Sequence, residues 1–202
     1  MGRALTGAVA AALCGLVLSA CSSNADDGSF SGQELDPPFT VPSAPLTATD
    51  GSSFSLTADT DKRLTLVFFG YTHCPDICGV VMGNLASAMT RLSDSDRDQV
   101  EVVYVTTDPA RDTGPVLRSY LDHLDPDFVG LTGDLADIVA TARPLGVGIT
   151  QGDRLPSGGY DVTHGTTITG IDSDDEAPVY WSEETSAAEF AADIHTLLAR
   201  GD

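Results

Sequence analysis

The chain has 202 residues, 42% of them hydrophobic and 20% charged, which suits one domain with a sizeable core plus extensions. Ten Lys and Arg against 30 Asp and Glu leave a net charge of −20, and Lys62 is the one lysine. Such a surface repels a phosphate backbone, which argues against a nucleic-acid partner; it also offers anionic lipid no basic patch, so membrane attachment has to come from the hydrophobic N-terminus.

Residues 1 to 21 read MGRALTGAVAAALCGLVLSAC, with one charge at Arg3 and an apolar run from Ala8 to Leu18. The run is too short for a secure membrane span and fits an export signal covering residues 1–20. Leu18-Ser19-Ala20-Cys21 resembles the lipobox of bacterial lipoproteins, in which the cysteine becomes the lipid-bearing first residue. The expectation is a lipid-anchored protein of the cell membrane, lipidated at Cys21, with its domain on the extracytoplasmic side. Cys14 would leave with the signal, so Cys74 and Cys78 would be the thiols of the mature domain, in a compartment that permits oxidation. Residues 21–50 are rich in Ser, Pro and Asp without a sustained apolar period, and read as a flexible tether whose last part can pack along the domain. The domain is expected over 51–202, with no internal repeat.

Within it, Phe54 to Leu56 suggests a short strand, and Leu64 to Gly70 (LTLVFFG) is a near-continuous apolar run, as expected of a strand covered on both faces. After YTHCPDICG, Val81, Leu85, Ala88, Met89 and Leu92 fall at helical spacing. Val100 to Thr107 reads as a second inner strand, and Thr113 with Pro115 opens a helix carrying Val116, Leu117, Tyr120, Leu121 and Leu124. A short strand at Phe128 to Leu131 precedes a helix over Asp134 to Arg143, with Leu135, Ile138 and Val139 inward, ended by Pro144 and Gly146. A loop through GDRLPSGGY is followed by an antiparallel hairpin, Thr166 to Ile171 and Ala177 to Trp181. Ser186 and Glu189 form a capping box for a last helix that turns Phe190, Ile194, Leu197 and Leu198 to the sheet. The order predicts an α/β fold, a central mixed β-sheet with helices on both faces.

Cys74 and Cys78 follow the first inner strand, at the end where α/β sheets collect reacting groups, and Cys78 stands near the positive end of the next helix, a position expected to favour its thiolate. A depressed thiol pKa serves disulfide exchange and soft-metal binding alike, and the three-residue gap separates metal, redox and structural-disulfide readings only weakly. His123 and His195 read as surface residues on helices. His73 abuts Cys74, but its side chain tends to point away from its neighbour's. His164 lies between the glycine pair at 158–159 and Gly165, just before a strand, where it has little packing purpose and suits a ligand. Two thiolates and one imidazole make a soft site of low coordination that suits Cu(I), also takes Cu(II), and needs a fourth donor for zinc.

GYTHCPDIC (Gly70 to Cys78), VTTDPARDT (Val105 to Thr113), FVGLTGD (Phe128 to Asp134) and YDVTHG (Tyr160 to Gly165) together resemble the Sco/SenC/PrrC family. That resemblance implies a thioredoxin-like fold, a membrane-anchored domain, and one copper ion, Cu(I) or Cu(II), held by Cys74, Cys78 and His164. It implies a metallochaperone that takes copper from a copper-donor protein and assists assembly of the binuclear centre in the copper-bearing subunit of cytochrome c oxidase. The alternative is a thiol–disulfide oxidoreductase in which Cys74 and Cys78 reduce the cysteines of the oxidase copper site or of other exported proteins. His73, Asp76 and Asp108 are expected around the ligands rather than on the metal. The chain departs from the family pattern at Gly79, Thr163 and Gly165, two of which flank the histidine and bear on how its ring is oriented.

Overall fold

The computed structural model describes residues 30–156 and 160–200. The proposed signal and Cys21, with the glycine pair at 158–159, lie outside the described residues. In chain order the elements are β1 (Gln33–Thr40), β2 (Leu46–Ala48), β3 (Ser53–Phe54), β4 (Leu64–Gly70), α1 (Cys78–Met89), α2 (Asp94–Arg97), β5 (Val100–Thr106) and α3 (Gly114–Asp122). There follow β6 (Val129–Thr132), α4 (Leu135–Ala142), β7 (Ile149–Arg154), β8 (Tyr160–His164), β9 (Ile168–Asp172), β10 (Glu176–Trp181) and α5 (Ala187–Arg200).

The main sheet runs β1-β10-β9-β4-β5-β6-β2-β3, with β4, β5 and β6 parallel and the remaining pairs antiparallel. All seven residues of β4 are buried, as the continuous apolar run requires. Alternation splits their side chains. Leu64, Leu66 and Phe68 pack with α1, α3 and α5, while Val67 and Phe69 pack with Ile138 and Ala142 of α4. Helix α1 buries Val81, Met82, Leu85, Ala88 and Met89 on the first of these faces. The capping box opens α5 reciprocally, with the Ser186 N–H donating to Glu189 Oε2 at 2.8 Å and the Glu189 N–H to Ser186 Oγ at 3.3 Å. On α4 the buried residues are Ile138, Thr141 and Ala142, whereas Leu135 and Val139 are only half-buried. The chain then turns through Arg143–Leu145 to Gly146, whose φ of +75° is open to glycine and whose missing Cβ leaves room for the Phe39 ring.

Two expectations need correction. Residues 33–40 and 46–48, read as part of a flexible tether, are strands of the main sheet, and Phe39, Val41 and Leu46 belong to its second core face. As the sheet's edge strand, β1 tolerates Pro37 and Pro38, and its pairing with β10 is interrupted between Glu34 and Phe39, where those prolines fall. The segment read as a loop before the histidine is a second, two-stranded sheet, β7 with β8; Thr150 to Arg154 are exposed and carry no apolar period. No helix among the described residues is long and apolar enough to cross a membrane.

The start of β1 is pinned by a buried carboxylate on α5. Asp193 accepts the backbone N–H groups of Ser31 and Gly32, each at 2.9 Å, and the Trp181 indole N–H at 2.8 Å. Phe30 packs on the Trp181 ring, with the Arg200 guanidinium 4.9 Å from the Phe30 centroid.

Candidate metal centre

Strand β4 ends at Gly70, and the chain leaves the sheet through Tyr71–Ile77 before α1 begins at Cys78. That short path places Cys78 in the first turn of the helix and Cys74 on the loop. Both are free thiols. Cys78 is 1% exposed and belongs to the core face that contains Phe68, Tyr104 and Leu85; Cys74 is half-buried and packs against that face from outside.

His164 ends β8 and arrives from the opposite side. Its Nε2 lies 3.7 Å from Cys78 Sγ, and its Nδ1 lies 2.8 Å from the Gly165 carbonyl oxygen. A carbonyl only accepts, so Nδ1 carries the ring proton and the lone pair of Nε2 is turned toward the thiol. The ring stands edge-on to Phe68 and Tyr71, with centroids 6.3 and 5.9 Å away. Orientation of the imidazole, which Thr163 and Gly165 had left open in the sequence, is thus supplied by a backbone carbonyl and two aromatic walls. Burial holds the His164 pKa below its ordinary value, against the pull of the Gly165 carbonyl, so the neutral ring is favoured.

The thiols are opposed in character. Burial, then the hydrogen bond it donates to Cys74, push the Cys78 thiol up to about 12. Cys74 also loses hydration, but the Cys78 thiol and the backbone N–H groups of Cys78, Asp76 and Ile77 hold its pKa below the ordinary value. The expected preference for a thiolate at Cys78 is therefore reversed: the helix N-terminus serves the loop sulfur, and burial decides the state of the helical one. The donors form an open sequence, Cys74 to Cys78 to His164, with Cys78 in the middle. Among the described residues no three His, Cys, Asp or Glu side chains are gathered tightly enough to enclose an ion, so a metal here would draw Cys74 and His164 inward. As donor chemistry, two thiols and a neutral imidazole fit a soft, low-coordinate ion.

The surrounding residues act differently from one another. Asp76 contributes its backbone N–H to Cys74, not its exposed carboxylate. Asp108 is buried and ion-paired with Arg111, whose guanidinium lies 5.8 Å from the Tyr71 ring centroid and 3.5 Å from the Tyr160 carbonyl at the start of β8. Asp108 thereby links the loop of the cysteines to the strand of the histidine. His73 is exposed and points to Thr72 Oγ1 at 2.9 Å and Asp112 Oδ1 at 3.8 Å. His123 bonds the Ser119 carbonyl and His195 pairs with Asp96, both exposed and outside the thiol site. Sequence reasoning passed over Tyr71, Phe68 and Asp112, although Asp112 stands inside the quoted VTTDPARDT stretch.

Fold and site together define a thioredoxin-like domain with a dithiol–imidazole constellation at the carboxyl end of its central strand. The SCO1/SenC family model matches residues 32–199, and the chain belongs to that family. It is 30% identical over 158 residues to human "Protein SCO1 homolog, mitochondrial", covering 73% of this chain and 52% of that protein. The chain spans 40–65% of the length of the first sequence relatives it matches. Among solved structures, apo Sco1 from Thermus thermophilus superposes with a TM-score of 0.75 at 27% identity, covering 84% of this chain and 97% of that one. ScoI from Bradyrhizobium japonicum, with copper bound, superposes with a TM-score of 0.67 at 29% identity, covering 79% and 97%.

Proposed function

We propose that the protein is a copper metallochaperone that carries one copper ion, Cu(I) or Cu(II), between Cys74, Cys78 and His164. The observation that carries this reading is the His164 ring, fixed through Nδ1 so that Nε2 faces Cys78 Sγ at 3.7 Å, beside a second thiol, Cys74, that is hydrogen-bonded to Cys78. Membership of a family with copper-bound members supports copper over other soft ions. The acceptor is the copper-bearing subunit of cytochrome c oxidase and the source a copper-donor protein, in keeping with a family of cytochrome c oxidase assembly proteins. Lipid at Cys21 holds the domain at the extracytoplasmic face of the cell membrane, supported by the lipobox-like LSAC and the apolar run before it.

Anaerobic titration of the reduced protein tests the centre. One copper per chain is expected, with sulfur-to-metal charge-transfer bands for Cu(II); a stoichiometric site unchanged in His164→Ala would overturn the ligand set. Intact-mass analysis tests the anchor, and a mature start away from Cys21 without added lipid would refute it.

The unequal thiols favour a second activity on the same residues, thiol–disulfide exchange. The Cys74 thiolate attacks a target disulfide and releases one target thiol; Cys78, once deprotonated, displaces the other and leaves a Cys74–Cys78 disulfide. The protein dithiol is oxidised as the target is reduced. Mixing the copper-loaded protein with a reduced target, and the metal-free dithiol with an oxidised target, separates the two: the first reading demands metal transfer without thiol oxidation, the second disulfide reduction without metal.

A further inference from the structure

We propose that Asp112 is a positioning residue for this site, a buried carboxylate that fixes the root of the loop carrying Cys74 by gripping Thr72; the inference rests on the dithiol–imidazole reading above. Asp112 is fully buried, and a carboxylate taken out of water is costly unless its oxygens are hydrogen-bonded. Here both oxygens are engaged. Oδ2 accepts the Thr72 backbone N–H at 2.8 Å and the Thr106 hydroxyl at 2.7 Å, and Oδ1 accepts the Thr72 hydroxyl at 2.6 Å. Two of these three bonds go to one residue, two positions before Cys74. Thr106, the third donor, is the last residue of β5 and ties the carboxylate to the sheet.

The neighbouring contacts show why this grip acts on the sulfur. Gly70, where the chain leaves β4, is held by the Thr107 N–H at 2.6 Å, and the Cys74 N–H donates to the Tyr71 carbonyl at 3.1 Å. Residues 70 to 74 are thus sewn to the turn after β5 from one side, while Pro75 and Asp76 on the other side are exposed. The approach of Cys74 toward Cys78 and His164 is set from its upstream end, and Asp112 holds that end. Being fully buried, Asp112 neither ligates nor meets a partner, so its influence passes through Thr72. An asparagine in the same place presents one oxygen and an NH2 group; with its oxygen on the Thr72 N–H and the Thr106 hydroxyl, its NH2 forces the Thr72 hydroxyl to accept instead of donate, and the charge that shortens these bonds is gone.

Four variants of the full-length reduced protein test this: Asp112→Asn, Thr72→Val, Thr72→Ser and Thr106→Val. Copper affinity by chelator competition, the Cu(II) spectrum and the alkylation rates of Cys74 and Cys78 by mass spectrometry are read for each. Asp112→Asn and Thr72→Val are expected to lower copper affinity by about 10- to 100-fold, the range for lost support around a metal ligand, to shift the charge-transfer bands, and to change Cys74 alkylation. Thr72→Ser keeps the hydroxyl and the N–H and should behave as wild type. Thr106→Val, which removes one of the three bonds to the carboxylate from the strand side together with the acceptor of the Asp108 N–H at 3.0 Å, should move the same readouts in the same direction as Thr72→Val but by less. Wild-type affinity, spectrum and alkylation in Thr72→Val would overturn the proposal, as would a larger loss in Thr106→Val than in Thr72→Val. If Asp112→Asn fails to fold, the two Thr72 variants decide. If the wild-type protein takes no copper, the copper reading falls, and the alkylation rates still decide the role of Asp112.

Discussion

The loop Tyr71–Ile77 and the helix Cys78–Met89 each bring one thiol to the site, and they do so under opposite conditions. The helix presents Cys78 as part of a packed core, where burial keeps the proton on the sulfur. The loop presents Cys74 half-buried, with three backbone N–H groups and the other thiol directed at it. Two sulfurs four positions apart are therefore an anchor and a reactive partner. A helix N-terminus favours the sulfur it points at, which need not be the one it carries.

Removing each sulfur in turn should break this comparison most sharply. Cys74→Ala and Cys78→Ala are both expected to abolish tight copper binding, since two thiolates supply most of the softness of the site. Denaturant unfolding should then tell them apart: Cys78→Ala loses a buried group from the core and about 1 kcal/mol of stability, whereas Cys74→Ala stays near wild type. Equal stability losses would remove the distinction between anchor and reactive partner.

Proton release sharpens it next. On the proposed ligand set, copper binding requires the thiolate of Cys78, whose pKa burial pushes up to about 12. Each copper should therefore displace at least one proton, and the apparent affinity should climb about tenfold per pH unit per proton released from neutrality upward. Calorimetry in buffers of different ionisation enthalpy reads the number directly; affinity independent of pH would contradict the assignment. Without metal, alkylation across the same range should find Cys74 reacting at lower pH than Cys78.

His164 gives a smaller effect. His164→Ala should weaken copper binding and alter the Cu(II) spectrum more than the Cu(I) affinity, because imidazole is the donor better suited to the harder ion. Burial depresses this histidine's pKa, so the stability it contributes is complete above its ordinary value of 6.5 and is lost as pH falls through the folded-state value. Acid titration of stability should therefore be steeper for wild type than for His164→Ala between pH 6.5 and that lower value. The smallest expected change is at His195, exposed and paired with Asp96 at 3.0 Å. His195→Ala should cost less than about 1 kcal/mol and leave copper binding unchanged.

The inner strands and the chemistry-bearing residues were legible in the sequence for physical reasons. LTLVFFG reads as an inner strand because six of its seven residues are without a polar side chain, Thr65 being the exception, and Ser186 with Glu189 spells out its own reciprocal bonds. Cys74, Cys78 and His164 stood out as uncommon residue types at strand and loop junctions. What escaped depends on partners distant in sequence or on the backbone. Strand β1 is an edge strand broken by Pro37 and Pro38, so its propensity argues against the pairing that β10 imposes. Strand β7 has exposed side chains after Ile149 and no pattern to detect. The Gly165 carbonyl that orients His164 belongs to every residue type, and the order of the two thiol pKa values follows from burial that only the folded chain creates.

The Asp193 clamp also fixes a direction. Gln33 of β1 stands opposite Tyr180, Trp181 opposite Ile168, and Ile168 opposite Phe68, so residue 30 sits at the end of the sheet from which β4 runs out toward Cys74. Upstream chain is thus fastened at the thiol-bearing end of the molecule, not at its far side. For a chain lipidated at Cys21, residues 22 to 30 span at most about 32 Å when fully extended. On that anchoring the dithiol end of the sheet is the end held within this distance of the bilayer, which would suit targets whose own metal or disulfide groups stand close above the membrane surface.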